Sequence, residues 1–446
     1  MSLFVIGHQP YYFGHRYGME GPMTWPVPLK RFRHDESGAI AILFALLMPV
    51  VLGAVGFGVE VGSWYAARRE LQSAVDAAAV AAAIEKYNGS STSTITSEAT
   101  TEAQRNGFTT SGGGTIVVNI PPTSGSYTGD SLAVEVRLTK PIQTLFLRYL
   151  VQSTSVTAST RAVAKMQMQA GNGCVVALNS SASGAFRITG TVTVSLLNCD
   201  VVTNSSSSTS LIATGGTLVT ADCVRTVGAT ADEAHFSTTS CGGVQEGARK
   251  YADPYEDRSV PAFTGCDHNN LSINSSGTNN LSPGTYCGGI TASGNNSINL
   301  SPGTYVMYDG AFNVSGSGTI SGNGVSIILM GSSASNVGNI DFTGTRTVNM
   351  SAPTSGAYSG MLFYQSEAAS SSGTNRITGG TNFNITGAVY TPKRKIDYSG
   401  NSGGGTSCVQ LIGDTVEFTG TSGANSSNCG SAGVTLAGAN LSTLVE

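Results

Sequence analysis

The chain reads as mainly β: an N-terminal transmembrane helix that continues as an amphipathic helix, a small α+β module, then a right-handed parallel β-helix-like solenoid. Three observations lead there. Residues 38–59 (GAIAILFALLMPVVLGAVGFGV) carry no charge. Charged residues are only 11% of the 446, with 57 glycines and much Ser, Thr and Asn in their place, a composition of short strands and turns. Strand-like segments beyond residue 170 recur near every 20 residues, about one circuit of a parallel β-helix.

Residues 1–37, with Pro10, Pro22, Pro26 and Pro28, read as an unstructured cytoplasmic lead. The uncharged run 38–59 is roughly 33 Å long as a helix, enough to cross a bilayer core. It exceeds the apolar core of a signal peptide and passes directly into more helix, so it is read as an anchor. Residues 60–88 continue it. From Trp64 to Ile84 there is neither Gly nor Pro, and Leu71, Val75, Ala78 and Ala82 form one apolar stripe. Asn88-Gly89 ends the helix.

Residues 89–169 form the α+β module. After a Ser/Thr-rich link come TIVVNI (115–120) and SLAVEVRL (131–138). In the second, Leu132, Val134, Val136 and Leu138 alternate with polar or small residues, as in a half-buried strand. Pro141 is expected to break it, TLFLRYL reads as a helical turn, and SVTASTRAVAK as another strand. A long helix on a small antiparallel sheet is a pilin-like arrangement.

Residues 170–446 read as the solenoid. LSPGTY occurs at 281–286 and again at 300–305; Phe342, Phe363 and Phe383, and Ile320 and Ile340, repeat at 20 or 21. An apolar residue is expected to point inward at alternate strand positions. The charged segment Gln245–Phe263, with two prolines, reads as a connection between two blocks of coils. All eight cysteines follow the apolar span, and none forms a CxxC pair. Disulfides in an oxidising compartment are implied. Cys174, Cys199 and Cys223 are spaced for bridges between neighbouring coils; Cys266/Cys287 and Cys408/Cys429 are each 21 apart, and Cys241 completes the set. Lys30, Arg31 and Arg33 before the span, against Arg68 and Arg69 after it, agree with a cytoplasmic N-terminus and a periplasmic remainder.

Residues Arg33 to about Ala83 resemble the N-terminal segment of the TadG-like (Flp, or tight-adherence) pilus-assembly family. The matching stretches are RHDESGAIAILFALLMPV, GFGVEVG and WYAARRELQSAVDAAAVAAA. The run VEVRLTKPIQTLFLRYLVQSTSVTASTRAVA, to about Ala164, resembles the TadE/TadG strand region. The resemblance implies a non-catalytic, single-pass accessory of the bacterial inner membrane, in contact with other pilus-assembly envelope proteins or pilin subunits. Two departures bear on this. A polymerising pilin would need Glu five residues after its cleaved Gly, and counting from Gly38 that place holds Leu43. Some relatives carry a DxSxS metal motif, which this chain lacks.

Glu60 is the foremost candidate residue. A carboxylate at the end of an apolar span either pairs with a neighbouring subunit or sits hydrated at the headgroup boundary. Ala54, Gly58 and Gly62 form a small-xxx-small face suited to close helix packing. Asp253, Glu256 and Asp257 lack the spacing of a Ca²⁺ loop and read as a solvated turn. His235 and His268 have no second histidine at a ligand spacing, so neither a metal nor a cofactor is expected.

The acids Asp309, Asp341, Glu367, Asp397, Asp414 and Glu417 are scattered; Asp341 comes nearest to stacking on Glu367. GNSGG at 400–404 fits a bare GxSxG pattern without the helix that a nucleophile elbow needs. Lys393, Arg394 and Lys395 read as a solvated loop or, alternatively, an acidic-glycan contact. The net charge of −4 gives no footprint for nucleic acid. The reading is therefore a structural pilus-assembly accessory. Its alternatives are a surface adhesin or glycan-binding protein, and a polysaccharide-degrading enzyme.

Overall fold

The computed structural model describes residues 37–168, 171–191, 193–379, 383–400, 408–420 and 422–446. The lead 1–36, with Lys30, Arg31 and Arg33, and all but the first residue of the GNSGG motif lie outside them. The architecture is mainly β with one long helix. Internal contacts divide the chain into two units. The first runs to Leu71 and adds Thr110–Thr115 and Thr139–Ser159; the second holds Gln72–Thr109, Ile116–Leu138 and Thr160–Glu446.

Helix α1 (Ser37–Tyr87) runs 51 residues, Pro49 included. Its Ala-rich second half buries Leu71, Ala74, Val75, Ala78, Ala79 and Ala82, the apolar stripe with its i+3 neighbours. The Ser/Thr-rich stretch after Gly89 is not a loop but helix α2 (Thr92–Arg105), capped by Ser91, which accepts the Thr94 N–H. Two features override the low helix propensity there. Ile95, Ala99 and Ala103 bury one face. Thr96, Thr100 and Thr101 donate their hydroxyls to the carbonyls four residues back at 2.7–3.0 Å, so they do not compete elsewhere.

Strands β1 (Thr115–Asn119), β2 (Ala133–Gln143) and β3 (Ser155–Met168) form a sheet completed by Asn440–Leu444, which runs antiparallel to β3. Pro141 does not break β2, which continues to Gln143; its fixed φ suits extended backbone and only its donor is lost.

From Gly173 onward strands pair in parallel with those a circuit away. The main ladder starts at His268–Ile273. It passes through Gly284–Ala292, Gly303–Val314, Val325–Met330, Met361–Gln365, Phe383–Thr391 and Val409–Gly413. It continues through Gly173–Ala177, Asp200–Thr203 and Cys223–Thr226 to Val244–Gln245. The chain thus enters its own ladder in the middle, winds to one end, crosses by residues 246–263, and winds back from the other end.

Circuit length is not constant. Leu281 and Leu300 of the two LSPGTY copies do pair, but Tyr305 pairs with Ile327 and Ile327 with Phe363. Ile340 therefore lies beside Phe312, Ile320 beside Val348, and Phe383 beside Val348. The 20-residue landmarks are not ladder partners, because loops of different length separate the strands. Phe342 instead meets Phe363 and Phe383 through ring contacts at 5.8 Å in the core.

Strict inward alternation also fails on the main ladder. Val325–Met330, Met361–Gln365 and Val409–Gly413 are buried at every position. Their outward residues Ile328, Tyr364 and Ile412 join Tyr390, Tyr251, Tyr255, Cys429 and Val434 in a second apolar cluster. A strand covered on both faces reads as a continuous apolar run. Circuits bend together where no side chain fits: a Cβ on Gly310 would collide with the Gly288 backbone, and one on Gly338 with that of Gly310. Arg346 is buried and donates to the carbonyls of Ser315, Asn296 and Gly294 at 2.7–3.1 Å, tying neighbouring turns. All eight cysteines are bridged: Cys174–Cys199, Cys223–Cys241, Cys266–Cys287 and Cys408–Cys429.

Candidate functional site

Between Ile40 and Val59, α1 leaves its large apolar side chains exposed, among them Leu46 at 68% and Phe44 at 66%. Among the described residues this is the one helix long and apolar enough to cross a membrane, and its window is hardly buried within the molecule. That separates it from a core helix. Two positions interrupt the exposure, Gly56 and Glu60, which are buried. The Phe146 ring lies against Gly56, where a Cβ would come within 3.1 Å of it.

One turn later Glu60 is completely buried. Its Oε1 accepts the Leu145 N–H at 2.9 Å, and its Oε2 accepts those of Phe146 at 2.9 Å and Leu147 at 2.7 Å. These donors open the short helix α3 (Leu147–Val151), whose own N-cap residue, Phe146, makes no side-chain cap bond. The first N–H groups of a helix need an acceptor, and a carboxylate serves them well. Glu60 is therefore neither hydrated nor open to a neighbouring subunit: its oxygens are taken up inside the chain. Ala54, Gly58 and Gly62 lie about 200° around the helix from Gly56 and Glu60. They are exposed, and Gly58 and Gly62 have no atom within 4 Å of a built Cβ.

A second concentration of chemistry lies where residues 246–263 cross the ladders. A cavity of about 430 Å³ is lined there by Asp253, Glu256, Glu367, Lys393, Asp414 and Tyr251, among others. Asp253, read from sequence as part of a solvated turn, is instead half-buried. Its Oδ1 accepts the Tyr255 N–H at 3.0 Å. The Tyr390 hydroxyl stands 2.8 Å from Asp253 Oδ2 and 2.9 Å from Glu367 Oε1. Burial pushes the Asp253 carboxyl up to about 6, with Glu367 and Glu256 adding to the rise. Burial also raises Asp414, against the opposing effect of Asn179, which donates to both its oxygens at 3.0 and 3.2 Å. Sequence spacing gave no sign that Asp253 and Glu367 meet, since long-range crossing brings them together.

The segment that carries Glu60 now has a match. Residues 38–85 match the family model of the putative Flp pilus-assembly TadE/G-like proteins. No curated protein and no solved structure matches the chain. The matched segment covers the exposed apolar part of α1, Glu60 and the whole buried stripe from Leu71 to Ala82, and it ends before the strand region extending to Ala164.

The remaining sequence candidates fall apart as sites. Of Lys393, Arg394 and Lys395, Arg394 is buried and donates to the carbonyls of Val337, Gly338 and Ser370 at 2.9–3.2 Å. Lys395 pairs with Glu417 at 2.9 Å, and only Lys393 stays exposed. They form no basic patch, because a strand beginning at Lys395 turns their side chains different ways. Asp341 lies beside Arg376, 3.8 Å away, instead of stacking on Glu367. His235 Nδ1 lies 2.9 Å from the Thr217 carbonyl, and His268 stacks on Tyr286 at 4.5 Å. Among the described residues no group of three or more His, Cys, Asp or Glu is placed to hold a metal ion.

Proposed function

We propose that the chain is a minor-pilin-like accessory of Tad/Flp pilus assembly. It would be a structural protein, held in the inner membrane by residues 38–59 with its C-terminal part outside the cytosol. The match of residues 38–85 to the TadE/G-like family carries this reading, and the exposed apolar length of α1 supports it. Four disulfides favour an oxidising compartment for residues 170–446. The offset parallel ladders support reading that part as a right-handed β-solenoid, since crossover connections of this kind take that hand. Its boundaries would be those of the sequence: lead 1–37, span 38–59, helix 60–88, module 89–169 and solenoid 170–446.

The division of labour on α1 favours an accessory over a polymerising subunit. Glu60 is used to fix α3 in the same chain, so it recruits no neighbour. Contact with envelope partners falls to the face of Ala54, Gly58 and Gly62, where small residues allow close helix approach. Gly58→Leu tests this, because a Cβ built at Gly58 meets nothing within 4 Å outside its own helix backbone. The variant should insert normally while recovering less of the other pilus-assembly envelope proteins on co-purification. Unchanged recovery, together with normal piliation after deletion of the whole chain, would overturn the assembly role.

A further inference from the structure

We propose that residues 246–263 are latched across the parallel ladders by a carboxylic acid–phenol–carboxylate chain, Asp253–Tyr390–Glu367, complete only when one carboxyl holds a proton. A tyrosine hydroxyl has one hydrogen to donate. The Tyr390 oxygen lies within hydrogen-bond distance of an oxygen on each carboxyl. It donates to one of them, and the other contact needs a hydrogen from the acid itself. With both acids ionised, one contact becomes oxygen against oxygen with no hydrogen between.

The geometry assigns the extra proton to Asp253. Its Oδ1 already accepts from the Tyr255 N–H, so Oδ1 acts as the carbonyl oxygen and Oδ2 carries the hydrogen. Asp253 then donates to Tyr390, and Tyr390 donates to Glu367. The groups around Asp253 reinforce this order. Its own segment adds Glu256, with Tyr255 and Arg258. Tyr364 and Glu367 face it from the strand Met361–Gln365 and the loop after it. Lys393 and Asp414 face the same cavity from beyond the next two strands, and Tyr87 from the end of α1. Lys393 is exposed, so carboxylates dominate and favour a neutral Asp253.

The latch sits in the middle of a longer strap. On one side Asn204 exchanges two 2.9 Å hydrogen bonds with the Tyr251 backbone. On the other, Phe263 stacks on Tyr308 at 3.9 Å. Losing the central proton therefore loosens residues near 253–256 over the Tyr364–Tyr390 ring stack without freeing the ends. The sign follows from the raised carboxyl. The latch contributes fully below the ordinary aspartate value of 3.8 and is lost as pH rises through about 6.

Hydrogen–deuterium exchange of the full chain in detergent micelles reads this directly. After correction for the intrinsic pH dependence of exchange, peptides spanning 250–260 should open about tenfold more readily at pH 7 than at pH 5. Asp253→Asn places a permanent donor at Oδ2 and should keep the segment protected at both values. Glu367→Gln puts an amide N–H within reach of the Tyr390 oxygen, so that Tyr390 can donate to an ionised Asp253 and the chain is complete without the acid's proton; it should likewise flatten the dependence. Peptides from Val325–Met330 report whether a variant keeps its ladder, and if Asp253→Asn disturbs them Glu367→Gln carries the test. Equal opening of the wild-type strap at both values, or a tenfold rise retained in a ladder-intact variant, would overturn the proposal.

Discussion

Glu60→Gln asks whether one carboxylate holds α3 in place. In the wild type, Oε2 accepts two backbone N–H groups and Oε1 a third. Glutamine keeps one carbonyl oxygen, which can serve Phe146 and Leu147. Its amide nitrogen then faces the Leu145 N–H, donor against donor. One charge-assisted hydrogen bond is lost and the other two become neutral, at about 3 kcal/mol in a fully buried place. At 1.4 kcal/mol per decade this is roughly a hundredfold faster opening of the α3 start. Amide-resolved exchange of the full chain in lipid nanodiscs should show it at Leu145, Phe146 and Leu147, with α2 amides unchanged. Gly56→Leu, which displaces the Phe146 ring, should expose the same amides with the carboxylate intact. Exchange at all three within twofold of wild type in Glu60→Gln would refute the reasoning, because the acid would then not be their acceptor.

Glu135 titrates in the opposite sense to Asp253. Burial would raise it, but hydrogen bonds from Arg137, Asn119 and the Thr123 N–H outweigh burial and hold it at about 2. Its contribution, about 3 kcal/mol, is full above 4.5 and lost as pH falls through about 2, so Glu135→Gln should lower the thermal midpoint at pH 7 but hardly at pH 2. Arg346→Met leaves the carbonyls of Ser315, Asn296 and Gly294 without their charged donor and should cost about 3 kcal/mol by urea unfolding. Cys266→Ser with Cys287→Ser opens a 21-residue separation and should cost about 3 kcal/mol, while reductant should produce no further loss at that pair.

What was legible in the sequence follows from the range of each cause. The apolar span and the Leu71–Val75–Ala78–Ala82 stripe are local periodicities, visible without knowledge of the rest of the chain; the alternation expected over 131–138 holds only in part, since Leu132 is exposed and Glu135 is buried on its hydrogen bonds. Helix α2 was hidden because three of its threonines satisfy themselves on backbone carbonyls, which composition does not reveal. The ladder period is legible at Leu281 and Leu300, and the register keeps it at Ile377, Tyr398 and Phe418; longer loops between Val325 and Phe383 break it, so the spacing of Phe342, Phe363 and Phe383 misleads. Glu60 could be picked out as costly, but its partners lie some 85 residues away.

The acid pair is the hardest case and the most instructive. Asp253 belongs to a segment whose charges and prolines mark it as a connection, and that much was readable. What turns the connection into a strap is the topology. Because the chain enters its ladder in the middle, residues 246–263 must travel back across circuits already laid or still to come. A crossing of that length has to cover the outward apolar residues Ile328, Tyr364, Tyr390 and Ile412, or leave them to solvent. Covering them drags Asp253 out of water onto Tyr390, beside Glu367. The carboxyl is thus perturbed by the order in which the strands are stacked. No short motif near residue 253 would record it.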